Sequence, residues 1–290
     1  MTIAALEKSF SYLWKNPILF VPDIVLLIVT YLMLYLIYLY TGVGDLLSLL
    51  EVAEKGVVGE TLKSFLSENL LNLLISAGLY IFVTFMIGVS VAVIKYSMVR
   101  QILESKKSSL LAGWKEKKHY FWFVVLLRIL IFVIGIAALV VVALIAGLIY
   151  LIINPFTSST VAISIAGAFA VPLTVLSLLL VKLLFFFRYP IMFMDTIRNP
   201  FRILKRAFRF SMKEKFYVIV TWLVIFVLGI FSSILLWFVS LFLTSGTSML
   251  PIAIVTIILT ILISILNILI KLAVELWGTI FLFIRYKQKS

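Results

Sequence analysis

Apolar residues run along this chain in six long blocks, and polar residues collect between them. Each block exceeds the roughly 20 residues that carry a helix across a bilayer. The pattern predicts transmembrane helices from Pro17 or Pro22 to near Tyr40 and from near Thr61 to Met98. Others follow at about 120–153, 161–187, 216–243 and 251–284. Between the fourth and fifth blocks the period changes. Asn199-Pro200 is a helix start, with Asn as N-cap and Pro at the first helical position. Phe201, Leu204, Ala207, Phe208 and Ser211 then share one face, and Arg202, Lys205, Arg206, Arg209 and Lys213 share the other. A basic amphipathic helix of this kind lies in a membrane interface. Met1 to Lys15 reads as a second one, with Ile3, Leu6, Phe10 and Leu13 on one face. It lacks the basic n-region and small-residue cleavage site of a signal peptide. DLLSLLEVAEK, capped by Asp45 and stopped by Gly56, reads as a third short helix.

Composition fixes the class. Hydrophobic residues make up 64 % of the chain and charged residues only 13 %, and mean hydropathy is +1.25. A soluble domain with this balance would have too little polar surface to cover it. The fold expected is all-α, a polytopic helix bundle in a single transmembrane domain. There is no Cys, which excludes disulfides, thiolate metal sites and thiol catalysis. The one His, His119, excludes a His-cluster metal site. No cofactor, metal or nucleic-acid partner is expected.

Charge orients the bundle. Of the 25 Lys and Arg residues, only Lys55 and Lys63 fall on one side of the six spans, and Arg128, Lys182 and Lys271 lie within spans. All the others sit in the N-terminus, the loop Lys95 to Lys118, the segment from Arg188 and the tail. The positive-inside rule places those four segments, and hence both chain ends, in the cytoplasm of a cell-membrane protein.

A looser regularity lies above this one. Leu6-Glu7-Lys8-Ser9-Phe10 aligns with Leu204-Lys205-Arg206-Ala207-Phe208, and Leu111 to Trp122 begins a third such unit. Either the chain is three parallel repeats of interfacial helix plus hairpin (1–98, 99–187, 188–290), or any basic helix leading into a span looks alike. LEKSFSYLWKNPILF and NPFRILKRAFRFSMKEKFYVIV are also similar to two segments of a known family. It is the six-span membrane domain of some glycerophosphodiester phosphodiesterases, together with stand-alone bacterial and archaeal relatives. The resemblance implies a membrane domain without the soluble hydrolase.

Candidate chemistry concentrates on the sixth span. Thr256, Thr260, Ser264, Asn267, Lys271, Glu275 and Gly278 recur every three or four residues and share one helix face. Ionisable groups at membrane depth are costly and face a bundle interior or a wet cavity. Lys271 and Glu275 stand one turn apart, within pairing reach. The stripe is either a polar path or headgroup site, or interhelical hydrogen-bonding glue. Asp23 reads as a first-turn acid that matches the helix dipole. Arg128 either snorkels to the interface or pairs with Asp23 or Glu275. Lys182 snorkels. Small residues, Ala143 and Gly147 on the third span and Ala162, Ala166 and Ala170 on the fourth, suit close packing of that hairpin, and Pro172 should kink the fourth span.

Three functions fit unequally. A non-enzymatic scaffold or lipid-associated protein would set Arg202, Lys205, Arg206, Arg209 and Lys213 on anionic headgroups, with a membrane-protein partner or a second copy as further contacts. A carrier or channel of small solutes or lipid would use Ser264, Asn267, Lys271, Glu275, Arg128 and Asp23. An intramembrane enzyme finds no support, since no Asp pair, His–Glu metal signature or Ser–His relay is present.

Overall fold

The computed structural model describes residues 2–43, 46, 58–105, 107–247 and 253–289. Among these the chain is helical throughout and has no strand. Helix α1 is Thr2–Lys15, followed by a 3-10 turn at Pro17–Phe20 and by α2, Val21–Thr41. Then come α3 (Val58–Ser105), α4 (Leu110–Ile153) and α5 (Ser159–Leu184). Next are α6 (Arg188–Met194), α7 (Pro200–Lys213), α8 (Lys215–Thr247) and α9 (Ala253–Lys287). Among the described residues six helices are long and apolar enough to cross a membrane, as the six apolar blocks require. They form three hairpins, α2/α3, α4/α5 and α8/α9. Of the segment read as a helix from Asp45 to Gly56, Leu46 alone is among the described residues, and the side chain of Thr256 lies outside them.

The core sits at the end of the bundle that carries the basic segments. It draws on the last third of α3, the first half of α4, all of α6, the inner side of α7 and the last turns of α9. Val93, Leu127, Phe187, Met192, Phe281 and Phe283 are fully buried there. Away from that end the spans expose apolar side chains, among them Val133, Leu144, Val171, Phe231 and Leu262, as helices facing hydrocarbon do.

Three features differ from the sequence reading. The basic loop Lys95 to Lys118 is nearly all helix. α3 continues to Ser105, and α4 begins at Leu110 behind Ser109, whose hydroxyl accepts from the Ala112 amide. Arg100 bonds Glu116 and so clamps the two helical extensions together. Second, the segment after Arg188 holds α6, a short helix whose Tyr189, Pro190, Ile191, Met192 and Phe193 plug the core. It is too short and too evenly apolar to show a helical period. Third, of the small residues on the α4/α5 hairpin, Ala162 and Ala166 are buried but Ala143 and Gly147 are exposed. Val142 takes the place at the contact.

The two asparagine–proline steps also part company. The Asn199 side chain accepts from the Phe201 and Arg202 amides at 3.0 and 3.2 Å and so starts α7, a cap of about 1 kcal/mol. The Asn16 amide instead donates back to the Tyr12 carbonyl at 2.9 Å and closes α1. α1 and α7 still share a burial pattern at the aligned positions. Ala5, Ser9 and Leu13 are buried in one, and Ile203, Ala207 and Ser211 in the other. Phe10 and Phe208 are exposed in both.

Candidate functional site

Two groups of charge stand out, one inside the bundle and one on its basic end. The inner group centres on Lys95. Its ammonium donates to Asp23 Oδ1 at 2.9 Å and to Glu275 Oε1 at 2.8 Å, so a single cation joins α2, α3 and α9. Lys95 and Asp23 side chains are only 5 % and 6 % exposed, whereas Glu275 is 65 % exposed. Asp23 does occupy the first turn of α2, but its main partner is this lysine. The remaining oxygen, Asp23 Oδ2, is buried with no partner among the described residues. Lys95 escaped the sequence reading because it ends an apolar run and looked like the first charge of a loop.

Two clefts flank this ion bridge, each of about 600 Å³. The first lies among α2, α3, α4 and α9 and is floored by Asp23, Lys95, Arg128 and Glu275. Leu27, Thr30 and Leu34 line its deeper wall. Arg128 enters here without an acidic partner: its guanidinium donates to the Gly88 carbonyl at 3.3 Å and lies 6.0 Å from the Phe85 ring. It pairs with neither Asp23 nor Glu275.

The second cleft lies among α5, α8 and α9, with Tyr96 of α3 and Arg188 and Tyr189 of α6 at its side. Lys182, Arg188, Lys271 and Glu275 line it, with Ser233 and Thr279. Lys271 and Glu275 therefore share a cleft, as their common face requires. They form no ion pair, because Glu275 turns to Lys95 and Lys271 has no ion-pair partner among the described residues. Lys182 faces this cleft as well. Higher on the stripe, Ser264 donates to the Thr260 carbonyl of its own helix at 2.8 Å, which is not an interhelical bond. Asn267 Oδ1 is buried without a partner among the described residues. Gly278 packs at the α8–α9 crossing, where an added Cβ would meet Ile225 at 3.4 Å.

The outer group is α7. Its inward side is Ile203, Leu204, Ala207 and Ser211, and Ser211 donates to the Leu183 carbonyl at 3.2 Å. Phe201 and Phe208, expected on the same face as Leu204, are exposed instead. The reason is that the helix has two apolar surroundings. The narrow side with the small Ala207 and Ser211 fits against the bundle, and the large rings flank it. Of the five bases, Arg206 is a tether, pairing with Asp195 at 3.0 Å. Asp195 also accepts from the Tyr286 hydroxyl, which ties α7 to α9. Arg202, Lys205, Arg209 and Lys213 are exposed and make no ion pair among the described residues.

No group of three or more His, Cys, Asp or Glu suited to a metal ion occurs among the described residues. No known protein family matches the chain, and neither a curated protein nor a solved structure does.

Proposed function

We propose that this multi-pass membrane protein is non-enzymatic and associates with anionic lipid at the cytoplasmic face, where its basic end lies. One observation carries the reading. Arg202, Lys205, Arg209 and Lys213 project from a helix whose opposite side is locked to the bundle. The row is thus held in place, and little ordering is needed when lipid binds. Each such cation contributes roughly 1 kcal/mol beside an anionic surface. The exposed rings of Phe201 and Phe208 supply the apolar contact at the acyl boundary. The similarity of NPFRILKRAFRFSMKEKFYVIV to the membrane domain of the phosphodiesterase family is compatible with this role and adds no activity to it.

The test neutralises the row. The variant R202Q/K205Q/R209Q/K213Q should bind vesicles of phosphatidylglycerol and phosphatidylcholine more weakly than the parent, by about 4 kcal/mol at low salt if the four contributions add. The difference should shrink as salt rises. Equal binding by both proteins at low salt would sink the reading. Sidedness is checked separately, since the chain has no cysteine of its own. A cysteine at Ser105 should react with an impermeant reagent from the cytoplasmic side, and one at Thr157 from the outside. Labelling of Thr157 from the cytoplasm would invert the assignment.

A second reading, a carrier of small solute or lipid, is favoured by the ion bridge of Lys95, which has a cleft on either side. A lysine that exchanges between two carboxylates is a means of opening one cleft at a time. The Lys95 replacement described below separates that role from a structural latch.

A further inference from the structure

We infer that the cleft among α5, α8 and α9 binds the phosphate group of an anionic lipid. The inference shares its ligand class with the lipid-associated reading but rests on different residues, and either can fail alone. Charge balance is the first argument. In the cleft of Asp23, Arg128 and Lys95 the two carboxylates match the two cations. In the cleft among α5, α8 and α9 the one carboxylate, Glu275, is engaged by Lys95 at 2.8 Å. Lys182, Arg188 and Lys271 remain, none with an acidic partner among the described residues. Three cations lining one cleft repel one another, and an anion that joins them relieves this.

The geometry of Arg188 points the same way. Its Nη1 donates to the Phe185 carbonyl at 3.0 Å, and its guanidinium lies 4.6 Å from the Tyr189 ring. The group is thereby fixed in direction. Its Nε is buried without a partner among the described residues. A planar guanidinium held beside two lysines matches the oxygens of a phosphate group.

The walls select a lipid over a free anion. Ile225, Val274 and Leu282 line the cleft beyond the cations. Ser232 and Val274 also border an apolar groove of about 730 Å³ lined by Phe231, Leu235, Leu269 and Trp277. A headgroup among the cations therefore has a bed for an acyl chain beside it.

The experiment uses the full chain in a neutral maltoside detergent, with bound lipid counted by native mass spectrometry. Dioleoyl phosphatidic acid is titrated against dioleoyl phosphatidylcholine at low and high salt. The parent should keep one phosphatidic acid at salt that strips the rest, because the apolar groove beside the cations adds acyl-chain contact that salt does not screen. The variant K182Q/K271Q should bind that lipid about thirty-fold more weakly, and K182R/K271R should restore it. The α7 variant R202Q/K205Q/R209Q/K213Q should keep the salt-resistant lipid and lose the salt-sensitive ones. Inorganic phosphate at millimolar concentration should not displace the lipid. Retention by K182Q/K271Q, failure of K182R/K271R to restore binding, or displacement by inorganic phosphate each overturns the assignment. If the α7 variant keeps its salt-sensitive lipids while K182Q/K271Q loses the resistant one, the surface reading falls and the cleft stands.

Discussion

Replacing Lys95 by Met is expected to destabilise the folded protein by about 3–5 kcal/mol, the usual cost of breaking a buried ion pair from one side. Lys95 and Asp23 are both almost wholly enclosed, and the ammonium is the partner that offsets the burial of the Asp23 carboxylate. Without it that carboxylate is left charged and unpaired, or must take up a proton. Asp23→Leu should cost about as much, because it strands the lysine. The double replacement should cost less than either single one, since it removes both charges. Glu275→Gln should cost under about 1 kcal/mol, because its side chain is 65 % exposed and screened in the clefts. Unfolding midpoints in mixed detergent micelles decide the order. A Lys95→Met protein with an unchanged midpoint would show that the bridge is no latch, which would favour the carrier reading.

The second large effect is Phe187→Ala, expected to cost about 3–5 kcal/mol. Phe187 has no exposed surface. Its ring centroid lies 5.0 Å from that of Phe210 and 6.1 Å from that of Tyr286, so it joins the α5–α6 turn to α7 and α9. Deleting it opens a cavity where three elements meet. Phe132 on α4 is the control, being 68 % exposed towards lipid. Phe132→Ala should stay within about 0.5 kcal/mol. Similar losses at the two sites would mean that the bundle is not packed mainly at its basic end.

Much of this architecture is legible in the sequence, for physical reasons that also explain the gaps. Six spans can be read because hydrocarbon demands long apolar runs, and the Asn199 cap because its chemistry is local. That Lys271 and Glu275 share a cleft follows from helical period alone. Their partners do not. Lys95 meets Asp23 and Glu275 across 72 and 180 residues of chain, a distance at which no periodic signal survives. The faces of α1 and α7 are legible only in part, for a different reason. On α7 the expected face is right for Leu204, Ala207 and Ser211, and Phe201 and Phe208 alone turn outwards. On α1 Leu13 is buried as expected, Phe10 is half exposed with its ring stacked on Trp277, Ile3 is exposed, and Ala5 and Ser9 take the inner side. Where both surroundings are apolar, close approach of helices decides the face, and it favours small side chains. Size was the available signal, and α6 shows its limit, because seven residues carry no period to read.

Concentrating the interlocking side chains at one end gives the molecule leverage at the other. From Val133 outwards on α4, and likewise along α5 and α8, the apolar surface lies largely open to the bilayer. A thicker or thinner membrane is then accommodated by tilt of these arms, at fractions of a kcal/mol per Å of mismatch. Lys95 and Glu275 line one cleft and Arg188 and Glu275 the other, so both clefts draw on side chains from the packed end. A change of bilayer thickness is therefore expected to fall on the open arms first and on the packed end least, which unfolding midpoints in lipids of two chain lengths would check.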